Sequence, residues 1–171
     1  MSLLSRLFGN KSDDRAPLRP LWHRVVEIAR ERDWYADCGV ADTVAGRFDM
    51  ITLVMAAVLL RMEREEPLIA PSVRLTELFV EDMDGQLRNS GVGDLVVGKH
   101  MGKLMGVLGG RLGALREALP QGEEAMTAFT LRNATMAEHG DSARVARRLQ
   151  QLIARLDTTG ADDLLSARIA P

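Results

Sequence analysis

Aromatic side chains are scarce: two Trp, one Tyr and four Phe make up 4% of 171 residues. What replaces them is Leu, Ala, Arg and Met, all good helix formers, so the composition points to an all-α fold. There is a single cysteine, Cys38, which excludes an internal disulfide and fits a reducing compartment. Charge of one sign is also lacking: 22 basic residues against 24 acidic ones leave a net charge of −2. That argues against a surface given over to nucleic acid. No long hydrophobic run exists. The longest, Met50 to Leu60, is bounded by Asp49 and Arg61 and falls well short of the roughly 20 residues a membrane span needs. Nor does the first segment read as a secretory signal, since Arg6 interrupts its apolar residues. A cytoplasmic protein is expected.

What is present is ordinary globular composition, 46% hydrophobic and 27% charged, in a length that suits one domain. A chain of this size buries about 70% of its unfolded surface and needs no metal or disulfide to fold. Residues 1–19 read as a basic arm, with Arg6, Lys11, Arg15 and Arg19 outweighing Asp13 and Asp14. Leu3, Leu4, Leu7 and Phe8 could share one helical face. Residues 1–11 then suit either a weak contact with an anionic membrane surface or a terminus that frays or docks on the body.

Residues 20–171 read as a helical bundle of about six helices. Pro20 opens the first and Gly39 follows it. The next runs from about Arg47 to Arg64, is apolar all round in its middle, and should be the buried central helix. Glu65, Glu66 and Pro67 should break it, with Pro71 and Ser72 opening a helix over Val73 to Asn89. Its stripe is Leu75, Leu78, Phe79, Met83 and Leu87, and Asp82 and Gln86 fall within that stripe. The spacing predicts further helices over Leu95–Leu119, Glu123–Met136 and from Asp141 or Ser142 to Gly160, with a short turn of helix over Ala161–Ile169. No period-2 strand pattern is seen.

The candidate sites are few. Gly93-Asp94-Leu95-Val96-Val97-Gly98-Lys99 matches the spacing of a phosphate loop, but His100 stands where Ser or Thr is needed and the segment reads as helix. Glycine recurs at Gly98, Gly102, Gly106 and Gly110, with Gly109 and Gly113 alongside. Each interior glycine costs about 1 kcal/mol relative to alanine, so close backbone approach must offset it. Either the domain's own central helix packs there, or the face accepts a helix from another protein. A split is expected: Gly106 and Gly110 against the domain's own helices, Gly98 and Gly102 more open. Met101 and Met105 beside them could adapt to varied partners. Lys99, His100, Lys103 and Arg111 are placed on the far face, solvated or meeting acidic groups or lipid phosphate. Asp82, on an apolar face, should be paired, with Arg47 the favoured partner. Glu77, Glu81, Asp82 and Asp84 lack a converging second cluster, and the histidines are scattered, so no metal site is expected. Cys38 has no identifiable base, and Trp34 and Tyr35 read as core anchors. These residues assemble no active site or cofactor site; by themselves they describe a helical interaction domain.

Four segments add a resemblance: Trp34-Tyr35, Asp42-Thr43-x-x-Gly46-Arg47-Phe48, Leu75-Thr76-Glu77-Leu78-Phe79-x-Glu81-Asp82-Met83-Asp84, and Gly91-Val92-Gly93-Asp94-Leu95-Val96-Val97-Gly98-Lys99. In this order they resemble the ubiquinol–cytochrome c chaperone family in its bacterial form, well over about residues 1–119 and poorly beyond. The resemblance implies an all-helical, non-enzymatic assembly factor whose client is newly made cytochrome b of ubiquinol–cytochrome c reductase (complex III). It adds the ribosome or a small protein as further partners, and a place in the cytoplasm or at the inner face of the cytoplasmic membrane. Gly98, Lys99, Met101, Gly102, Lys103, Met105 and Gly106 are then the candidate client-binding residues, and Arg47 and Asp82 the structural polar pair. The rival reading is a helical scaffold or regulatory module unrelated to respiration.

Overall fold

The computed structural model describes residues 13–89 and 94–169, leaving aside the side chains of 87–101. Among these residues there is no strand, only one isolated bridge between Val40 and Met136. The helices are α1 (Arg19–Ala29), α2 (Arg32–Ala36), α3 (Val44–Met62), α4 (Glu66–Asn89), α5 (Asp94–Ala118), α6 (Glu123–Asn133), α7 (Ser142–Thr158) and α8 (Ala161–Leu165). Short 3-10 turns cover Ala16–Leu18 and Leu119–Gln121. The fold is the all-α bundle expected, with the apolar helix at its centre.

That helix, α3, starts where Thr43 accepts a hydrogen bond from the Gly46 N–H at 3.1 Å, satisfying one of the free donors of a first turn. Every residue from Asp49 to Met62 is buried. A helix with no polar face must be enclosed on all sides, and α1, α4, α5 and α7 do this. On the α1–α4 side, Trp22 meets Phe79 edge to face with centroids 5.9 Å apart.

The charges that bound the apolar run are both drawn inside. Arg61, 6% exposed, donates to the carbonyls of Leu156 and Thr159 at 3.0 Å each, and pairs with Glu65. It therefore caps the C-terminal end of α7, where carbonyl groups lack helical partners and a cation is favoured. Asp49 pairs with Arg111 of α5 at 2.6 Å, the two side chains being 12% and 13% exposed. Its other oxygen accepts from the Thr135 N–H at 2.9 Å and hydroxyl at 2.6 Å. Arg111 also donates to the Thr52 hydroxyl and lies 5.9 Å over the Phe48 ring.

Several expectations change in consequence. Arg47 and Asp82 do not form a pair. Arg47 is 59% exposed and bonds Asp42 at 2.6 Å. Asp82 is half-buried, with its nearest bond from Gln86 at 3.5 Å. It lines an open polar cleft together with His23 and Glu27 of α1 and Arg30 just after it. Arg111 is not on a solvated far face but in the buried pair. Pro71 lies inside α4, which begins at Glu66; Pro67, near its N-terminus, starts the helix rather than ending the previous one. Helix α6 stops at Asn133 because the Thr135 N–H goes to Asp49 and the Thr135 carbonyl to the Ala41 N–H at 2.8 Å. The loop after α2 and the loop before α7 zip together there. Gly39, at φ +76°, and Gly140 touch so closely that a Cβ on Gly39 would sit 2.5 Å from the Gly140 Cα. Residues 13–19 are also not free: Leu18 is buried. The remainder of the expected arm lies outside the described residues.

The glycines of α5 point away from all of this. A Cβ built on Gly102, Gly106, Gly109, Gly110 or Gly113 meets nothing within 4 Å. Gly106 and Gly110 are as open as Gly102, so the expectation that they pack against the domain's own helices is overturned. The reason is rotational: with Leu108, Arg111 and Leu115 turned to α3, the glycine side of the same helix faces out.

Two outcomes test this packing. Asp49→Ala should lower unfolding free energy by about 3 kcal/mol, because it strands Arg111 in the interior. Asp82→Ala should change it by less than about 0.5 kcal/mol; urea denaturation of both variants checks this, and equal effects would contradict the assignment. Gly106→Ala and Gly109→Ala should each be stabilising, by up to about 1 kcal/mol of helix propensity. A rise in melting temperature is the expected readout, and a fall would mean the face is packed.

Candidate functional site

Between α4 and α5 lies an open groove of about 650 Å³. Its floor is Leu59 of α3 and Leu112 of α5, and its α4 wall is Val73, Thr76 and Val80. Met105 of α5 stands on the opposite wall and is 45% exposed. Val73 is 56% exposed and Ile69, one turn earlier on α4, 45%. Apolar side chains gathered along one exposed cleft are unusual for a surface that serves no partner.

The glycine face continues this wall. Gly102 and Gly109 lie three residues before and four residues after Met105, so they are its neighbours on the helix surface. Met105 is then a flexible knob on an otherwise bare helix. A helix laid here could approach the α5 backbone closely, as small residues allow in helix pairs, while Met105 adjusts to its side chains. Five bare glycines cost roughly 4–5 kcal/mol in helix propensity, and among the described residues no packing at these positions offsets it.

The rim is acidic. Glu63, Glu77, Glu81 and Asp84 surround the groove, against Arg15 on the same lining. Arg15 lies 3.2 Å from Glu81, and Arg116 pairs with Glu63 at 2.8 Å. The α4 carboxylates thus edge the groove; among the described residues, no group of His, Cys, Asp and Glu converges as metal ligands would.

Of the expected client-binding residues, the structure brings Gly102, Met105 and Gly106 to the exposed side of α5, and Lys103 is exposed as well. Gly98, Lys99 and Met101 lie on the same helix, but their surroundings fall outside the described residues. Val73, Val80, Leu59 and Leu112 were not anticipated. Val73 and Val80 are seven residues apart on α4, on the side of the helix away from Phe79; that second apolar pair was the available signal. The remaining singled-out residues are structural. Trp34 is buried and donates to the Ile28 carbonyl at 2.8 Å, and Tyr35 donates to the Ala29 carbonyl at 2.8 Å. Cys38 is buried, and burial pushes its thiol up from the ordinary range, away from the thiolate a nucleophile needs. Arg148 of α7 lies 4.9 Å over the Trp34 ring and pairs with Glu31 and Asp33.

Comparison with known proteins bears on this arrangement. No curated protein matches the sequence. A solved structure, the crystal structure of the Cbp3 homolog from Brucella abortus, superposes with a TM-score of 0.79 at 30% identity, covering 98% of this chain and 96% of that one. The model of the ubiquinol–cytochrome c chaperone family matches residues 36–170. The likeness therefore extends through the C-terminal third, which the sequence motifs had left weak; the family match starts at residue 36, while the superposition takes in 98% of the chain. With a match over most of its length, the chain belongs to the ubiquinol–cytochrome c chaperone family.

Proposed function

We propose that the chain is a non-enzymatic chaperone for assembly of ubiquinol–cytochrome c reductase. Its client is newly made cytochrome b, held at the cytoplasmic face of the membrane. The observation that carries this reading is the open apolar groove between α4 and α5 beside a glycine face that none of the described residues covers. Family membership supplies the class of work, and the groove supplies a way to do it. A membrane protein in assembly exposes apolar helices that must be shielded from one another. A flat glycine surface with a methionine knob suits many such helices rather than one sequence.

The rim adds direction. Segments flanking transmembrane helices on the cytoplasmic side are enriched in Lys and Arg. Glu77 and Glu81 stand where such a flank would lie against an occupied groove, and their charge favours it over an acidic flank. The groove thus prefers the cytoplasmic end of a client helix. None of the described helices is long and apolar enough to cross a membrane; in this reading the chain meets its client from outside the bilayer.

Gly102→Leu and Met105→Asp should leave the melting temperature close to that of the parent protein, since both positions are exposed. Each should reduce capture of cytochrome b at least tenfold, measured by crosslinking in cells. Leu131→Asp, at an exposed apolar position outside the groove, should capture normally. Normal capture by both groove variants would overturn the site, with Lys99 and Lys103 next to be tested. A deletion strain should lose complex III while keeping the other respiratory complexes; loss of none, or of all alike, would overturn the function.

A further inference from the structure

The first turn of α3 projects from a corner that the backbone holds rigid. The Ala41 N–H donates to the Thr135 carbonyl and the Thr43 N–H to the Ala41 carbonyl, each at 2.8 Å. Gly46 packs so tightly here that a Cβ would collide with the Ala41 carbonyl oxygen. On this corner Val44 is 88% exposed. Arg47, three residues on and so adjacent to Val44 on the helix surface, lines an open cleft of about 600 Å³ with Arg30, Arg32, Tyr35, Ala36 and Asp42. Elsewhere on the surface Arg24, Arg64, Arg116 and Arg147 each hold a carboxylate partner. Arg30 and Arg32, both exposed, hold none among the described residues. Arg47 meets Asp42 through its Nε at 2.6 Å, which leaves its two terminal nitrogens for another anion. Three guanidinium groups against one carboxylate give the cleft a charge of +2, in a chain whose net charge is −2.

We propose that this corner docks on an anionic phospholipid surface, with Val44 entering the headgroup layer and lipid phosphates meeting Arg30, Arg32 and Arg47. A planar guanidinium suits paired phosphate oxygens. Each basic residue close to an anionic leaflet strengthens binding about fivefold. One projecting valine is too little for the apolar core of a protein interface, but it suits shallow insertion at a membrane surface. Nucleic acid fits less well. The Tyr35 ring is half-buried with its hydroxyl tied to the Ala29 carbonyl at 2.8 Å, so it is not free to stack on a base, and a valine adds nothing to phosphate contact. Leu59, in the floor of the α4–α5 groove, lies 15 residues after Val44, about 22 Å along a helix axis. Lipid and client would therefore occupy separate surfaces. The inference deepens the proposed function: it rests on the chain working at the membrane face, and not on the groove being the client site.

The test is cosedimentation of the full chain with vesicles of phosphatidylcholine, alone or mixed equally with phosphatidylglycerol. The parent chain should bind the mixed vesicles, more weakly as salt is raised, and not the neutral ones. Arg30→Ala/Arg32→Ala should lower the partition coefficient about 25-fold, fivefold for each arginine. Its melting temperature should not change, because both side chains are exposed and unpaired. The Val44→Trp variant should shift its emission to the blue on mixed vesicles, a change that Trp22 and Trp34, already buried, do not supply. No binding by the parent, undiminished binding by the arginine variant, or no shift from position 44 overturns the proposal. It is also overturned if Arg6→Ala/Lys11→Ala abolishes binding while the arginine variant binds normally, which would assign the contact to the N-terminal segment. Binding of a fluorescent RNA in place of vesicles would assign the cleft to nucleic acid and overturn it too. This inference and the proposed function fail separately. Absence of vesicle binding with cytochrome b still captured rejects the docking surface alone. Intact vesicle binding, with capture unaffected by Met105→Asp, rejects the client groove alone.

Discussion

A helix without a polar side has to be enclosed, and in this chain that requirement organises everything else. α3 is buried from Asp49 to Met62, so four other helices must meet around it. Apolar contact alone would let them slide and rotate, because hydrophobic burial has little directional preference. The polar groups at the two ends of α3 remove that freedom. Arg61 accepts only one placement of the end of α7, since its guanidinium must find the carbonyls of both Leu156 and Thr159. Asp49 fixes α5 through Arg111 and the loop before α7 through Thr135. Each buried charge is costly unless its partners are in place, so each selects one arrangement among the many that apolar packing would tolerate.

The rotation of α5 is where structure passes into function. With Arg111 held inward, the glycines must face outward; a rotation by half a turn would bury them and expose Leu108 and Leu115. A chain selected for stability alone would carry alanine at those positions, at a gain of up to about 1 kcal/mol each. Glycine at these positions makes sense if something outside the domain needs the backbone bare. Local disagreement between propensity and position of this kind is expected where a protein serves a partner. The same reasoning does not extend to Gly39, whose positive φ and contact with Gly140 give it a purely internal role.

Much of the fold was legible because helical periodicity reports burial directly. The all-round apolar pattern of Met50–Leu60 identified the central helix, and the stripe at Leu75, Leu78, Phe79 and Met83 matched the buried face of α4. Pairing of polar residues was less accessible. Asp82 looked buried because it falls within an apolar stripe, but His23, Glu27 and Arg30 share an open polar cleft with it. Asp49 looked like the end of an apolar run and is instead its anchor; its partner Arg111 is distant in sequence and sits among glycines, where periodicity gives no apolar signal. The glycine face itself was visible, but not its direction. Spacing says which residues share a side of a helix, and only the neighbours say whether that side is inside. The likeness to the family was similarly uneven, because short motifs reveal a segment only where their residues cluster.

An apolar groove kept open carries a standing hazard, since any exposed helix in the cell can fill it. Charge is the natural means of discrimination here. Interior contacts to Leu59, Leu112 and Met105 are indifferent to sequence, so they supply affinity without selectivity. On the proposed function, selectivity would fall to the rim, where Glu77, beside a Glu81 partly offset by Arg15, favours a basic flank over an acidic one. Because these carboxylates are exposed, their attraction is screened over about 8 Å at physiological ionic strength, and it acts on residues adjoining the bound helix rather than on the protein at large. On the proposed function, the combination of a tolerant floor and a short-range acidic edge would read a transmembrane helix by its end, not by its sequence. That is the discrimination a chaperone needs when its client offers several different apolar helices that share only a basic cytoplasmic boundary.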